Sequence, residues 1–281
     1  SHDLQEPLRK IQTFCDMALK KSAPVIDPVS RDYLNHLEEI ILYEGPQSIA
    51  AVLLETVTGT NGIIIPPEGY LQGVRDICDR YGIVMICDEV MSGFGRTGKW
   101  FAVDHWNVVP DIMTMAKGLT SGYAPLGAVA MKPEIAAAFN EKVYEGGLTF
   151  NGHPVSLAAA IANIEVMQMD NLIEKAAQTG KVMADMLAEL TDRHPSIGET
   201  RSLGLFGVIE LVKNKMTKEP MATFNHNRPK MIALKKFLLE HGVFLYTHWH
   251  TILLVPSLII TQDQLAEGFE LIDQGLEITD R

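Results

Sequence analysis

The chain reads Gly82-Ile-Val-Met-Ile-Cys-Asp88-Glu-Val-Met-Ser-Gly and, after one amphipathic link, Pro110-Asp-Ile-Met-Thr-Met-Ala-Lys117-Gly, and these two runs decide its fold. Residues 83–87 form a continuous apolar run of strand length, which is typical of a parallel strand buried on both faces. In open α/β sheets, ligands lie at the carboxyl ends of the strands. Asp88 is therefore placed to meet a ligand, and the second run, 112–116, delivers Lys117 to the same edge.

Asp88 and Lys117 together fit one chemistry better than either residue does alone. A single aspartate at a strand end is more often a cap or loop ligand, and a lysine after an apolar run usually extends to water. Pyridoxal phosphate, however, needs a lysine to hold its aldehyde and an acid to keep its ring nitrogen protonated. An ammonium group held among apolar neighbours pays a desolvation cost, which favours the neutral, nucleophilic amine. The pair predicts a pyridoxal phosphate site.

Four blocks around this pair resemble the signature of class III aminotransferases, the fold type I family that includes the ω-amino acid transaminases. The blocks are Asp88-Glu-Val-Met-Ser-Gly-Phe-Gly-Arg-Thr-Gly, Pro110-Asp, Ala116-Lys117-Gly and Gly122-Tyr-Ala-Pro-Leu-Gly127. The resemblance extends over about residues 37–281. It implies transamination between an amine or ω-amino acid and a keto acid. In that reaction Asp88 pairs with the pyridine nitrogen, Val90 packs on the ring, and Lys117 holds the cofactor and shuttles a proton.

The resemblance also implies roles for residues outside these blocks. Thr149 would reach the cofactor phosphate of a neighbouring subunit, which implies a homodimer with shared active sites, whereas the residues alone make Thr149 a helix cap. Glu55 would lie on the substrate side of the cofactor, and its alternative interpretation is a loop carboxylate. His248 stands near the position where many ω-transaminases place an arginine for the substrate carboxylate. We expect His153 to be a buried hydrogen-bonding group.

The apolar pattern predicts an α/β fold, with a mostly parallel sheet flanked by helices and a small α+β domain at the C-terminus. We expect a helical segment over 1–40, the second half of the family's large domain over 41–175, and the small domain over 176–281. The family's phosphate-binding turn and ring-stacking aromatic cannot be placed in this sequence, so the resemblance leaves autonomous activity open. Predicted strands span 49–54, 83–87, 112–116, 127–131, 205–211, 243–246 and 252–255. Predicted helices span 66–81, 133–142, 154–169, 176–190, 230–240 and 262–279.

Residues 1–36 resemble another family, the phosphoacceptor segment of sensor histidine kinases. His2 is followed five residues later by Pro7, and the run 30–40 resembles the start of the second helix of that hairpin. The alternative is an amphipathic helix that packs on the next domain, with His2 exposed. The resemblance implies a second function, a signalling or interaction protein with His2 as phosphoacceptor, and a third interpretation is a non-catalytic fragment. The two resemblances meet near residues 35–40.

Composition narrows the class of partner. The chain has 281 residues, 47% of them hydrophobic, and a formal net charge of −11. Because nucleic acid and anionic membranes attract basic surfaces, neither is expected as a partner. No apolar run reaches the ~18 residues of a membrane helix, and no signal-peptide pattern is present. The three cysteines lack metal-type spacing. The pattern places His248 and His250 on one strand face, but they lack a third ligand, so we expect no metal site. We expect a cytoplasmic protein with reduced thiols.

Overall fold

The computed structural model describes residues 26–226 and 228–281, which form two β-sheets and seven α-helices. The helices, α1 to α7 in chain order, are Pro28–Glu44, Tyr70–Tyr81, Pro133–Ala137, Pro154–Met169, Leu172–Arg193, Pro229–Glu240 and Gln262–Asp280. The strands, β1 to β9, are Ala51–Glu55, Val84–Asp88, Ile112–Met115, Ala128–Met131, Ile197–Leu203, Phe206–Asn214, Glu219–Pro220, Tyr246–His248 and Thr251–Leu254. Within the described ranges, no helix has the length and apolar character needed to cross a membrane.

The first sheet has the order β1-β2-β3-β4 and carries the two runs that decided the fold. Strands β1, β2 and β3 are parallel, as predicted, while β4 runs antiparallel at the edge. Helix α2 connects β1 to β2 and ends at Gly82, which adopts a left-handed conformation with φ of 66°. A glycine at this position ends a helix without the steric cost that a Cβ atom would bring. The strand, helix, strand unit expected from the sequence is confirmed.

The two faces of the first sheet differ in burial. On one face, Met85 and Cys87 are fully buried and pack with α2 and with Phe206 of the second sheet. On the opposite face, Leu53 is 65% exposed and Val129 is 58% exposed, so an apolar sheet surface is uncovered in the described part of the chain. Because side chains alternate along a strand, Asp88 belongs to this second face.

The second sheet has the order β5-β6-β9-β8, with β7 paired to β6, and all its pairings are antiparallel. Helices α5, α6 and α7 cover it through one apolar cluster that includes Met183, Leu234, Ile252 and Leu276. The parallel first sheet and this antiparallel second sheet together confirm the expected α/β fold with an α+β part at the C-terminus. Helix α5 begins at Leu172, four residues before the expected start of the small domain.

Several boundaries differ from the sequence-based prediction. Strand β5 was missed, because its run Gly198-Glu-Thr-Arg-Ser is polar and only half-buried at the edge of the sheet. Strand β8 begins at Tyr246 instead of residue 243, and α3 ends at Ala137 instead of residue 142. The predicted strand face shared by His248 and His250 is wrong, since β8 ends at His248 and His250 lies in the turn before β9.

Helix α1 runs without a break through residues 35–40, where the two resemblances meet. It begins at Pro28, with the Asp27 side chain accepting the Ser30 backbone N–H, close to the start predicted at Ser30. The helix packs on α2, where Glu38 accepts hydrogen bonds from Arg80 and from the Tyr81 hydroxyl. Most of the kinase-like segment, including His2, lies outside the described residues.

Candidate active site

Three polar side chains end neighbouring strands at the carboxyl edge of the first sheet. In the parallel ladders, Asp88 is the partner of Glu55 on one side and of Thr114 on the other. Paired residues in a sheet project to the same face, so the Asp88 carboxylate and the Thr114 hydroxyl lie side by side. Asp88 Oδ1 accepts the backbone N–H of Val90 at 2.8 Å, while Thr114 Oγ1 is buried without a hydrogen-bond partner among the described residues. The edge therefore presents the Asp88 carboxylate as an acceptor and the Thr114 hydroxyl as a donor, and both can form further hydrogen bonds to a ligand.

Lys117 follows β3 by two residues and lies at the start of a short 3₁₀ helix, Lys117–Leu119. Its φ is 45°, in the left-handed region that residues with a Cβ atom rarely adopt. The side chain is exposed. The expectation that apolar neighbours surround the ammonium group is therefore wrong for the described structure, because the turn carries Lys117 past the end of the buried strand. The amine remains accessible to a ligand at the sheet edge.

Glu89, the second acid of the motif, has a different role from Asp88. Its side chain is fully buried and accepts the backbone N–H groups of Ala102 and Val103 at 3.0 and 2.9 Å. The Ser92 hydroxyl donates to the same carboxylate at 2.6 Å. Because these contacts occupy both oxygens, Glu89 fixes the loop that follows β2, and Asp88 is the carboxylate available at the edge.

Glu55 and His248 approach the same edge from different sheets. Glu55 Oε2 accepts the Gly59 backbone N–H at 2.8 Å, which gives it a structural contact in the loop after β1. His248 Nδ1 lies 3.4 Å from the carbonyl oxygen of Thr60 in that loop, and its ring stacks on Trp249 with centroids 3.7 Å apart. The structure thus brings the two weak substrate candidates to one loop.

Thr149 and His153 both differ from the residue-based expectations. Helix α4 is capped by His153, whose Nδ1 accepts the Val155 N–H at 3.3 Å, and the interpretation of Thr149 as the helix cap is wrong. Thr149 lies in an exposed turn that precedes α4. His153 is itself exposed, so the expectation of a buried histidine is also wrong, although its hydrogen-bonding role is present. The Asn-Gly-His-Pro run places the cap directly before Pro154, where a proline commonly starts a helix.

The glycine-rich run 93–98 is a structural turn. Arg96 Nη1 donates to the carbonyl oxygens of Leu205 and Pro256 at 2.9 and 2.6 Å and so ties this loop to the second sheet. Burial lowers the pKa of the Arg96 guanidinium to about 10. A Cβ atom at Gly204 would lie 2.3 Å from the Thr97 carbonyl carbon, so the two turns approach at backbone contact distance.

Asn163 in α4 is a site residue that the sequence reasoning missed. Its side chain donates to the carbonyl oxygens of Gly118 and Leu119 at 2.8 and 3.2 Å, directly after Lys117. The signal was a single amide inside the otherwise apolar run Ala158-Ala-Ala-Ile-Ala-Asn163-Ile. A lone polar residue on the buried side of an apolar helix usually has a specific partner.

The family description aminotransferase class III matches residues 3–276. This chain belongs to the class III aminotransferases. The match confirms the family that the sequence motifs indicated. It begins within the segment that resembled a histidine kinase, and no comparison shows that second resemblance. The structure offers no observation on His2 as a phosphoacceptor.

Known relatives of this class III chain are longer than it is. The taurine–pyruvate aminotransferase of Bilophila wadsworthia is 37% identical over 274 residues, which cover 93% of this chain and 59% of the relative. The putrescine–pyruvate aminotransferase of Pseudomonas aeruginosa is 37% identical over 245 residues, which cover 86% of this chain and 53% of the relative. The solved structure of taurine:2-oxoglutarate aminotransferase from Bifidobacterium kashiwanohense, in complex with PLP and glutamate, matches this chain with a TM-score of 0.87 and 40% sequence identity. The match covers 94% of this chain and 60% of that one. The chain spans less than two thirds of these relatives.

The residues at the edge of the first sheet fit the family's cofactor. The buried Thr114 hydroxyl without a partner, the carboxylate of Asp88 beside it and the exposed Lys117 amine offer a donor, an acceptor and a nucleophile within one stretch of sheet edge. A pyridine nitrogen that carries a proton needs the acceptor, and an aldehyde needs the amine. Among the described residues, no group of three His, Cys, Asp or Glu side chains could hold a metal ion.

Proposed function

We propose that this chain acts in pyridoxal phosphate-dependent transamination, in which an amino group passes from an amine or ω-amino acid to a keto acid. The observation that carries the proposal is the placement of Asp88 and Lys117 after neighbouring parallel strands, Asp88 being the ladder partner of Thr114 three residues before Lys117. Parallel strands lie about 4.8 Å apart, so both residues leave the sheet at one edge. One small heterocycle can lie between side chains placed in this way.

Each residue has a defined role in this proposal. Pyridoxal phosphate, when bound, supplies the electron sink that lets a proton leave the carbon bearing the amino group. Asp88 holds a proton at the pyridine nitrogen through a charged hydrogen bond, while the Val90 N–H fixes its other oxygen. Val90 packs on the ring. Lys117 would hold the cofactor at its aldehyde and, as the free amine, would move a proton between substrate atoms.

Substrate selection is proposed to involve Glu55 and His248. These side chains meet at the Thr60 loop, and neither provides the fixed guanidinium fork that binds a carboxylate bidentately. The relatives named for taurine and putrescine support an amine as the amino donor of this chain. The specific donor and acceptor of this chain belong to the same proposal, as small molecules that reach the exposed edge.

We also propose that the protein works as a homodimer in which Thr149 contacts the cofactor phosphate of the neighbouring subunit. Support comes from apolar side chains on the turn after Thr149 and along α4 that the described part of the chain does not cover. Phe150 is 79% exposed, and Val155, Ile161 and Met169 of α4 are also exposed. Apolar patches of this kind commonly mark protein interfaces.

The free thiols of Cys78 and Cys87 suit a reducing compartment, and we propose the cytoplasm as the location.

Covalent attachment of pyridoxal phosphate tests the proposed function. The purified chain is incubated with the cofactor and reduced with borohydride, and the modified lysine is mapped by peptide mass spectrometry. We expect the label on Lys117, its loss in Lys117→Ala, and at least a tenfold weaker cofactor affinity in Asp88→Asn. Lys99→Ala is the matched control, because Lys99 is an exposed lysine of the adjoining loop. Labelling spread over surface lysines, or unchanged in Lys117→Ala, would refute the proposal.

A further inference from the structure

We propose that Asn163 is a positioning residue for Lys117, which it orients by clamping the turn that follows the lysine. The inference rests on the proposed function of Lys117. Asn163 Nδ2 donates to the carbonyl oxygens of Gly118 and Leu119, and Asn163 Oδ1 accepts the Ser121 hydroxyl at 2.7 Å. One amide thus makes three hydrogen bonds to the four residues after Lys117.

The turn needs an external clamp because its own conformation is unfavourable. Lys117 and Ser121 both have positive φ, at 45° and 49°. A left-handed conformation is unfavourable for a residue with a Cβ atom, and such conformations persist only where surrounding contacts hold them. Within the turn, the backbone contributes two short-range bonds, from Leu119 N–H to the Ala116 carbonyl and from Thr120 N–H to the Lys117 carbonyl. The bonds from Asn163 are of similar number and come from a separate element.

Asn163 is held on a fixed support. Ala160 and Met167, three residues before and four after it, are buried in a cluster with Phe94 and Leu119, so this side of α4 packs against the loops. On the other side of the turn, a Cβ atom at Gly118 would lie 2.8 Å from the Phe94 Cβ. The turn is therefore confined between Phe94 and the Asn163 amide, and the direction in which Lys117 leaves the backbone is set by both.

An amide is the side chain that these partners require. Two carbonyl oxygens need N–H donors, and the Ser121 hydroxyl needs an acceptor, and asparagine supplies both kinds of group at one position. Asn163→Asp keeps the shape but places carboxylate oxygens against the two carbonyl groups. Asn163→Leu removes all three hydrogen bonds while keeping similar volume and a helix-favouring residue.

Hydrogen exchange provides a readout that needs no cofactor. We expect amide exchange over residues 117–121 to rise at least tenfold in Asn163→Asp and in Asn163→Leu, with a smaller rise in Ser121→Ala, which removes one of the three bonds. Peptides from β6 should exchange at the wild-type rate, which shows that the fold is intact. Asn140→Asp, the same substitution at an exposed position, serves as the matched control. Wild-type exchange over 117–121 in a folded Asn163 variant overturns the clamp.

A double-mutant cycle separates positioning of Lys117 from general support of the site. We expect Asn163→Asp to weaken pyridoxal phosphate binding at least threefold in the chain that has Lys117 and to change nothing in the Lys117→Ala background. An equal loss in both backgrounds would overturn the positioning role, because it would mean that Asn163 acts on the site without Lys117. If the wild-type chain binds no cofactor, the proposed function fails while the exchange experiment still decides the clamp.

Discussion

Asp111 offers a stability test whose size follows from the structure. Its side chain is 14% exposed, and Oδ2 accepts Arg75 Nη1 at 2.8 Å and the Met85 backbone N–H at 2.7 Å, while Lys132 reaches Oδ1 at 2.7 Å. Burial opposes ionisation, but the hydrogen bonds from Lys132, Met85 and Arg75 outweigh it and lower the pKa of Asp111 from 3.8 to about 2. At about 1.4 kcal/mol per pH unit, this fall corresponds to about 2.5 kcal/mol of stability.

The sign of the pH dependence follows from the lowered pKa. A carboxyl group with a lower pKa in the folded state stabilises the protein fully above the unfolded value of 3.8, and this contribution is lost as the pH falls from about 4 to about 2. We expect Asp111→Asn to lower the free energy of unfolding by about 2–3 kcal/mol at pH 7, measured by urea titration. The difference between wild type and variant should shrink as the pH falls through that window.

Asp79→Asn is the matched control for Asp111→Asn. Asp79 also pairs with Arg75, at 2.7 Å, but its side chain is 62% exposed. Exposed ion pairs contribute about 0–1 kcal/mol, so this variant should cost well under half as much. Equal losses in the two variants, or a loss below about 0.5 kcal/mol in Asp111→Asn, would refute the reasoning that three donors, outweighing the cost of burial, give Asp111 its contribution.

Three further substitutions test other contacts that hold the fold. His194 is buried between two carboxylates, with Asp280 2.6 Å from its Nδ1 and Asp273 2.8 Å from its Nε2. His194→Ala should therefore lower the stability by about 2–4 kcal/mol, measured by thermal unfolding. A loss below about 1 kcal/mol would show that the carboxylates need no partner. Gly204→Ala would place a Cβ atom at backbone contact distance and should prevent folding or cost more than about 3 kcal/mol. Gly82→Ala, also at positive φ but with no atom within 4 Å of the added Cβ, should cost only about 1 kcal/mol by the same urea titration.

The first sheet could be predicted from the sequence because its strands are marked by continuous apolar runs. Such runs predicted the parallel strands correctly, but the expected burial of both faces is wrong because one face of the sheet is open, and Gly82 marks the end of the helix between two of the strands. Strand β5 escaped notice because it is an edge strand, whose inward positions include Thr200 and Ser202 instead of large apolar residues. Apolar alternation was too weak there to predict a strand, and the pairing with β6 was visible only in three dimensions.

The candidate site was predictable where chemistry depends on residue type and unpredictable where it depends on direction. Asp88 and Lys117 could be named from their places at the ends of apolar runs. The buried contacts of Glu89, the cap formed by His153 and the clamp from Asn163 depend on residues 13 to 45 positions away, or on a local turn geometry that several residues could adopt. Spacing along the sequence does not reveal such partners.

The alternation of side chains along β2 and at the residue after it decides which of the adjacent acids Asp88 and Glu89 can contact a ligand. The Asp88 side chain lies on the same face as Ile86. The Glu89 side chain is buried, and its carboxylate oxygens accept three hydrogen bonds from protein groups. The face of Asp88 is also the apolar face that the described chain leaves open at Leu53 and Val129. Two charges 4 Å apart attract by about 1 kcal/mol in water but by about 4 kcal/mol at an effective dielectric constant of 20. Any element that covers this face therefore strengthens the hold of Asp88 on a protonated ring nitrogen, so the covering of the sheet and the chemistry at its edge depend on each other.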